Sequence, residues 1–150
     1  MATPTFHDIL RRHFVDATPH VAACGMQITR LDASGAEVRL PFREDWIGDA
    51  ERGLIHPGIV TTLVDSACGA AVMARIERLE PIATLDLRMD YLRAGRRGLD
   101  VHCLAQCYRL TASIAFARAT VWQDDRSEPI AVSQSVFMRT QRRPAPEAPR

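Results

Sequence analysis

Lysine is missing from this chain. All 19 basic residues are arginine, and set against 18 acidic residues they leave a formal net charge of +1. So small a net charge excludes the broad basic field of a nucleic-acid binder or of a protein held on an anionic membrane. The arginine-only usage is read as genome base composition, without functional meaning.

Paired cysteine motifs are missing too. The four cysteines, Cys24, Cys68, Cys103 and Cys107, include no CxxC pair, and no histidine stands at zinc-finger spacing from them. Cys103 and Cys107 fall on one side of a strand, too far apart along it to bond. Four reduced, mostly buried thiols suit a reducing compartment. The first residues, MATPTFHDILRRHF, lack the apolar stretch and cleavage signal of a secretory leader. The longest apolar run is interrupted by His56 and Asp65, which makes it a poor membrane span. The expectation is a cytoplasmic protein with no nucleic-acid or membrane partner.

What remains is a chain of 150 residues, 47% apolar and 25% charged, the profile of one globular domain with a real core. We expect a single domain over 1–140, led by a helical segment within 1–20 and followed by a disordered, proline-rich tail at 141–150. In the leading segment Thr5 is a candidate N-cap, and Phe6, Ile9, Leu10 and Phe14 recur at helical spacing. Residues 24–31 and 36–42 flank the turn Asp-Ala-Ser-Gly and read as a β-hairpin. Residues 43–54 read as a polar loop. A long helix over about 57–78, apolar on nearly every side and so buried on nearly every side, ends before Pro81.

After Pro81 the period changes to two. In IATLDLRMDYL one face carries Ala83, Leu85, Leu87, Met89 and Tyr91, and the other Thr84, Asp86, Arg88 and Asp90. Strands at 99–109, 112–123 and 130–139 follow. The third-strand alanines Ala115, Ala117 and Ala119 share a face, placed either under the helix or against another subunit. The order is an α+β fold, an antiparallel sheet wrapped around one central helix.

Chemistry concentrates in GLIHPGIVTTLVDSACGAAV, residues 53–72. A buried, unpartnered carboxylate is very costly, so Asp65 is paired, protonated or open to a site. Its neighbours one turn away, Thr61, Thr62, Cys68 and Gly69, are small and leave room for a ligand, a water or a partner helix. Asp65 is thus either a general base or nucleophile at a pocket edge, or a subunit-interface residue capped by hydroxyls or a backbone amide. Pro57 fits the first helical position, with His56 as N-cap and the N–H groups of Gly58 and Ile59 free to hold an anion or a polarised carbonyl. That pairing suits hydrolysis of an ester or thioester. Arg93, Arg96 and Arg97 form either a phosphate contact or a solvated turn. The histidines show no metal-ligand spacing, and no metal or separate cofactor is expected.

The motif IHPGIVTTLVDSACGAA, with the strand ATLDLRMDYLRAGRRG, resembles the hotdog-fold acyl-CoA thioesterases, in particular the phenylacetyl-CoA-thioesterase-like (PaaI-like) branch, over roughly residues 20–140. The resemblance implies a homodimer, often paired into a homotetramer, with active sites at the subunit interface. It implies Asp65 as base or nucleophile, Thr84 orienting the attacking water, and coenzyme A as part of the substrate. Two positions depart from the family pattern. Its usual donor is the N–H after the histidine, where this chain has Pro57, leaving Gly58 to replace it. Its loop asparagine falls on Ala50, beside Asp49, which is the candidate substitute. The expected function is hydrolysis of an acyl-CoA thioester to free acid and CoA. The alternatives are a non-catalytic acyl-CoA or small-acid binding protein on the same fold, and a purely structural dimerisation module.

Overall fold

The fold comes from a computed structural model that describes residues 3–140; the tail expected at 141–150 lies outside them. Helix α1 spans Phe6–Asp16. Its start is a capping box: the Thr5 hydroxyl accepts from the Asp8 N–H at 3.2 Å and the Asp8 carboxylate accepts from the Thr5 N–H at 2.9 Å. A second short helix, α2 (Pro19–Cys24), follows, with proline at its first position and Gly25 (φ 69°) ending it. Sequence reading missed α2 because six residues carry too little periodicity to register.

The hairpin is strands β1 (Gln27–Asp32) and β2 (Gly35–Leu40). The segment read as a polar loop holds a 3-10 turn at Glu44–Trp46 and a small two-stranded sheet, β3 (Ile47–Asp49) with β4 (Leu54–Ile55). Helix α3 then runs Pro57–Ile76, and Glu77 closes it in the left-handed conformation at φ 60°. Strands β5 (Ile82–Tyr91), β6 (Val101–Leu110), β7 (Ile114–Trp122) and β8 (Ala131–Arg139) complete the chain.

Six strands pair antiparallel in the order β1-β2-β6-β7-β8-β5, and α3 packs on the inner face against β2, β6 and β7. The fit depends on small side chains. Ala115 and Ala117 are fully buried and Ala119 nearly so, as are Ala67, Ala70, Ala71 and Ala74 of the helix. The alanine face of β7 therefore sits beneath the helix, which decides between the two placements open from sequence. Larger residues fill the flanks: Val60, Leu63, Val64 and Val72 on α3, Val38, Leu40, Val101 and Val121 on the sheet. Each fully buried side chain of this kind contributes roughly 1.5–3 kcal/mol. In length and hydropathy α3 would pass for a membrane span, but half of it is buried and it serves as the core helix.

At one edge of the sheet, β5 departs from its sequence pattern. The register shifts between Thr84, opposite Phe137, and Asp86, opposite Val136. Leu85 is the extra residue of a β-bulge, which flips the alternation. Thr84 therefore points inward with Leu87, Met89 and Tyr91, not outward with Asp86, Arg88 and Asp90 as strict alternation gave it. Beyond the bulge the expected faces hold.

Where α3 hands over to β5, Glu80 is almost fully buried between two arginines. Arg139 Nε donates to its Oε1 at 2.6 Å, Arg78 Nε to its Oε2 at 2.7 Å, and Arg139 also donates to the Thr111 carbonyl at 2.6 Å. These bonds, the Arg139 guanidinium first, hold the Glu80 carboxyl below its ordinary value of 4.5. A carboxylate lowered by folding stabilises the fold above its unfolded value and stops doing so as pH falls toward the folded one. The Arg139→Leu variant is expected to lose stability at neutral pH. Its deficit relative to the parent should shrink as pH drops from about 5 to 3, read by urea unfolding across that range. A deficit constant with pH would show that Arg139 acts through packing alone.

Candidate active site

The start of α3 is built around His56. Its backbone N–H donates to the Trp46 carbonyl at 2.8 Å, fastening the helix start to the loop before β3. Its side chain caps the helix: Nδ1 accepts from the Gly58 N–H at 2.9 Å. Histidine is not a favoured cap, and glycine explains why it works here. A Cβ on Gly58 would lie 2.8 Å from His56 Nδ1, and one on Gly48 2.8 Å from His56 Cβ. Neither approach is open to another residue, so both glycines give the imidazole its seat. With Nδ1 accepting, a neutral ring carries its proton on Nε2.

This geometry corrects one expectation. The N–H groups of Gly58 and Ile59 are not free: the first donates to the His56 ring and the second to the His56 carbonyl at 3.2 Å. Pro57 has none to give. The donor left exposed at this end is the ring Nε2–H. Around it lies a cavity of about 570 Å³, lined by Asp49, Pro57, Val60, Tyr91, Arg93 and Ile130 among others.

The threonines of the motif serve the helix. Thr61 Oγ1 lies 3.2 Å from the Pro57 carbonyl and 2.6 Å from the Tyr91 hydroxyl, and Tyr91 donates to the same carbonyl at 2.8 Å. Thr62 donates to the Gly58 carbonyl at 3.0 Å. Neither reaches Asp65. Tyr91 went unassigned in the sequence; its place on the inner face of β5 was the available signal.

Asp65 lies two turns further on, half-buried at the open edge between α3 and β5. The Thr84 hydroxyl donates to its Oδ1 at 2.8 Å. The bulge at Leu85 makes this bond possible, because without the extra residue Thr84 would face away. Oδ2 accepts no hydrogen bond among the described residues. A cavity of about 290 Å³ opens beside the carboxylate, lined by Ser66 and Gly69 on α3 and by Leu10, Phe14 and Phe137 opposite. Gly69 thus keeps its expected place beside Asp65.

Cys68 does not. It is fully buried against the sheet, and burial pushes its thiol up to about 12. It belongs to the core and cannot touch a ligand. Asp49 lines the His56 cavity but is committed to its own turn, accepting from the Arg52 N–H at 2.9 Å and Nε at 2.7 Å, which hold its carboxyl below the usual range. The turn arginines are each paired: Arg93 with Glu128, Arg96 with Asp124 and Arg97 with Glu44. Arg93 alone of the three reaches the His56 cavity.

Along α3 eight residues separate Pro57 from Asp65, a rise of about 12 Å. The cavities at the two positions share no residue. Within one chain the His56 donor and the Asp65 carboxylate therefore serve separate places.

A sequence model of the thioesterase superfamily matches residues 52–130, which span β4, α3, β5, β6 and β7. The chain belongs to that superfamily. It adopts the family's hotdog fold and is a hydrolase acting on thioester bonds. It is 26% identical over 126 residues to the medium/long-chain acyl-CoA thioesterase YigI of Salmonella typhimurium, covering 75% of this chain and 81% of that one. A crystal structure of a Pseudomonas aeruginosa protein superposes with a TM-score of 0.80 at 36% identity, covering 90% of this chain and 99% of the other. A mutant form of the phenylacetic acid degradation protein PaaI from Thermus thermophilus superposes with a TM-score of 0.72 at 28% identity, covering 82% and 100%.

The place of Cys68 in this thioesterase is open to direct test. Iodoacetamide at pH 8 should leave Cys68 and Cys103, both fully buried, unlabelled in the native protein and label them after urea unfolding, read by peptide mass spectrometry. Native labelling of Cys68 would show a solvent path to it that the fold does not have.

Proposed function

We propose that this thioesterase hydrolyses acyl-CoA thioesters to the free acid and CoA, with Asp65 as the reacting group. The observation that carries this reading is a half-buried carboxylate at a cavity edge, one oxygen fixed by Thr84 and the other free. The name of the YigI relative, a medium/long-chain acyl-CoA thioesterase, points the same way. Asp65 Oδ2 takes a proton from water as the water oxygen bonds to the thioester carbon; direct attack by Oδ2 is the other route. The tetrahedral oxyanion collapses, the C–S bond breaks, and the CoA thiolate leaves and is protonated. Thr84 holds the carboxylate in register throughout.

The oxyanion needs a donor, and the ring Nε2–H of His56 supplies it. One chain cannot deliver both groups, because about 12 Å of helix lies between them. A second copy of the chain brings its helix start to the first copy's Asp65. Its docking edge is β5, whose outer ladder is unpaired; Leu85 and Tyr91 on the strand and Leu92 just past its end are 56%, 45% and 55% exposed. The assembly is thus a homodimer, or a homotetramer of two such pairs. Arg93, which lines the same cavity as His56, is the turn arginine we assign to a CoA phosphate, exchanging its pair with Glu128 for it. Four unpaired cysteines suit a cytoplasmic setting.

Free-thiol detection on a panel of aryl and medium-chain acyl-CoAs tests the reaction. Asp65→Asn should lower kcat/KM by roughly 10²–10⁴-fold. Thr84→Val should lower it by roughly ten- to a hundredfold, the worth of one hydrogen bond to a charged group, with Thr84→Ser near the parent. Mixing inactive Asp65→Asn and His56→Ala subunits should restore turnover through shared sites. An active Asp65→Asn enzyme would end the assignment, and a mixture that stays dead would return both groups to one chain.

A further inference from the structure

The hydrolysis makes no use of Tyr91, yet this side chain reaches from β5 to the first turn of α3 and lines the cavity around His56. Its hydroxyl donates to the Pro57 carbonyl at 2.8 Å. That carbonyl belongs to the peptide unit that also carries the Gly58 N–H, and the Gly58 N–H donates to His56 Nδ1 at 2.9 Å. The unit is planar and trans, so its carbonyl and N–H point in opposite directions and turn together. Tyr91 and the His56 ring thus hold the two ends of one rigid plate.

We propose that Tyr91 is a positioning residue: through the Pro57–Gly58 peptide it fixes the orientation and the tautomer of the His56 ring. Its consequence for the rate rests on the reading of His56 as the oxyanion donor; its effect on the ring rests on geometry alone. Three observations carry it. First, Pro57 offers nothing else to hold. It lacks an N–H, so its carbonyl is the one polar group by which the first helical residue can be anchored. An ordinary carbonyl at this position has one partner, the N–H four residues on. Here two hydroxyls stand at it as well, Tyr91 at 2.8 Å and Thr61 Oγ1 at 3.2 Å.

Second, the hydroxyls run in one direction. The Tyr91 proton goes to the carbonyl, so the Tyr91 oxygen accepts from Thr61, 2.6 Å away. The order is Thr61 O–H, Tyr91 O–H, Pro57 C=O, Gly58 N–H, His56 Nδ1. Each bond polarises the next, and a carbonyl that accepts strongly makes the N–H of its own peptide the better donor. A stronger donor at Gly58 keeps Nδ1 an acceptor and leaves the ring proton on Nε2. The other tautomer would set two hydrogens against each other.

Third, the far side of the ring has no such support. Nε2 has no hydrogen-bond partner among the described residues, and the bond from the His56 N–H to the Trp46 carbonyl holds only the backbone. Gly48 and Gly58 leave the ring space and give it no side chain to lean on. What aims the Nε2–H is therefore the bond at Nδ1.

Tyr91→Phe keeps the aromatic ring and removes the hydroxyl. Tyr91 is 45% exposed, so this variant should fold. The imidazole itself is read first, by NMR of the full-length protein with ¹⁵N-labelled histidine at pH 8, above the ordinary imidazole range. The parent His56 should carry its proton on Nε2, and Tyr91→Phe should show a mixture of both tautomers. The spectrum of His56→Ala assigns its signals among the five histidines. Thr61→Val, which removes the first hydroxyl of the relay, should move the same signals the same way by less, and gives the answer if Tyr91→Phe does not fold. With acyl-CoA, Tyr91→Phe should lower kcat roughly three- to tenfold, the worth of one neutral hydrogen bond, and leave KM within about twofold. Made in His56→Ala, it should lower the residual kcat no further. A His56 tautomer unchanged in the folded variants would overturn the proposal, as would an equal loss of kcat in both backgrounds. Full activity in His56→Ala beside a changed tautomer in Tyr91→Phe would leave the relay standing and remove the oxyanion reading.

Discussion

The close approach of α3 to the sheet governs everything else in this molecule. Seven buried alanines, four from the helix and three from β7, let the two backbones come together with little side-chain volume between them. Interiors pack at crystal-like density, so small residues facing small residues leave nowhere for the helix to shift. Its axial position then fixes where each polar residue of the motif emerges. Cys68 faces the sheet and is buried; Asp65, three residues earlier, reaches the open edge; Thr61 meets Tyr91 at the helix start.

Much of this was legible in the sequence. The helix showed itself by being apolar all round; of the four small residues that spacing put beside Asp65, only Gly69 lines its cavity, while Thr61 and Thr62 bond to helix carbonyls and Cys68 is buried against the sheet. The strands showed themselves by alternation, and all the long ones were placed to within a few residues. Asp65 stood out because an ionised group in such a run requires a reason. The bond from Thr84 to Asp65 had a weaker root: family resemblance suggested the residue, while strict alternation pointed its side chain outward.

The rest was hidden for physical reasons. A bulge is one extra residue with no composition of its own, so Leu85 gave no sign that the strand changes face there. Free N–H groups at the helix start were expected because the first turn of any helix leaves its donors without intrahelical partners; that a histidine ring would fold back onto Gly58 depends on the space two glycines leave. The arginine turn and Asp49 looked available because sequence does not show which groups of opposite charge lie across from them. The short helix α2 and the strands β3 and β4 are too brief to carry a period, although they place the wall of one cavity and the seat of His56.

The bulge in β5 has one more meaning. It divides the strand into two stretches whose side-chain phases are independent. The stretch before Leu85 is tuned to the carboxylate on the helix, and the stretch after it to the exposed edge and to Tyr91. Substitutions on either side can therefore drift without disturbing the other, whereas loss or gain of a single residue couples them at once. In an alignment of related chains the position to watch is the count of residues between Thr84 and Tyr91, more than their identity.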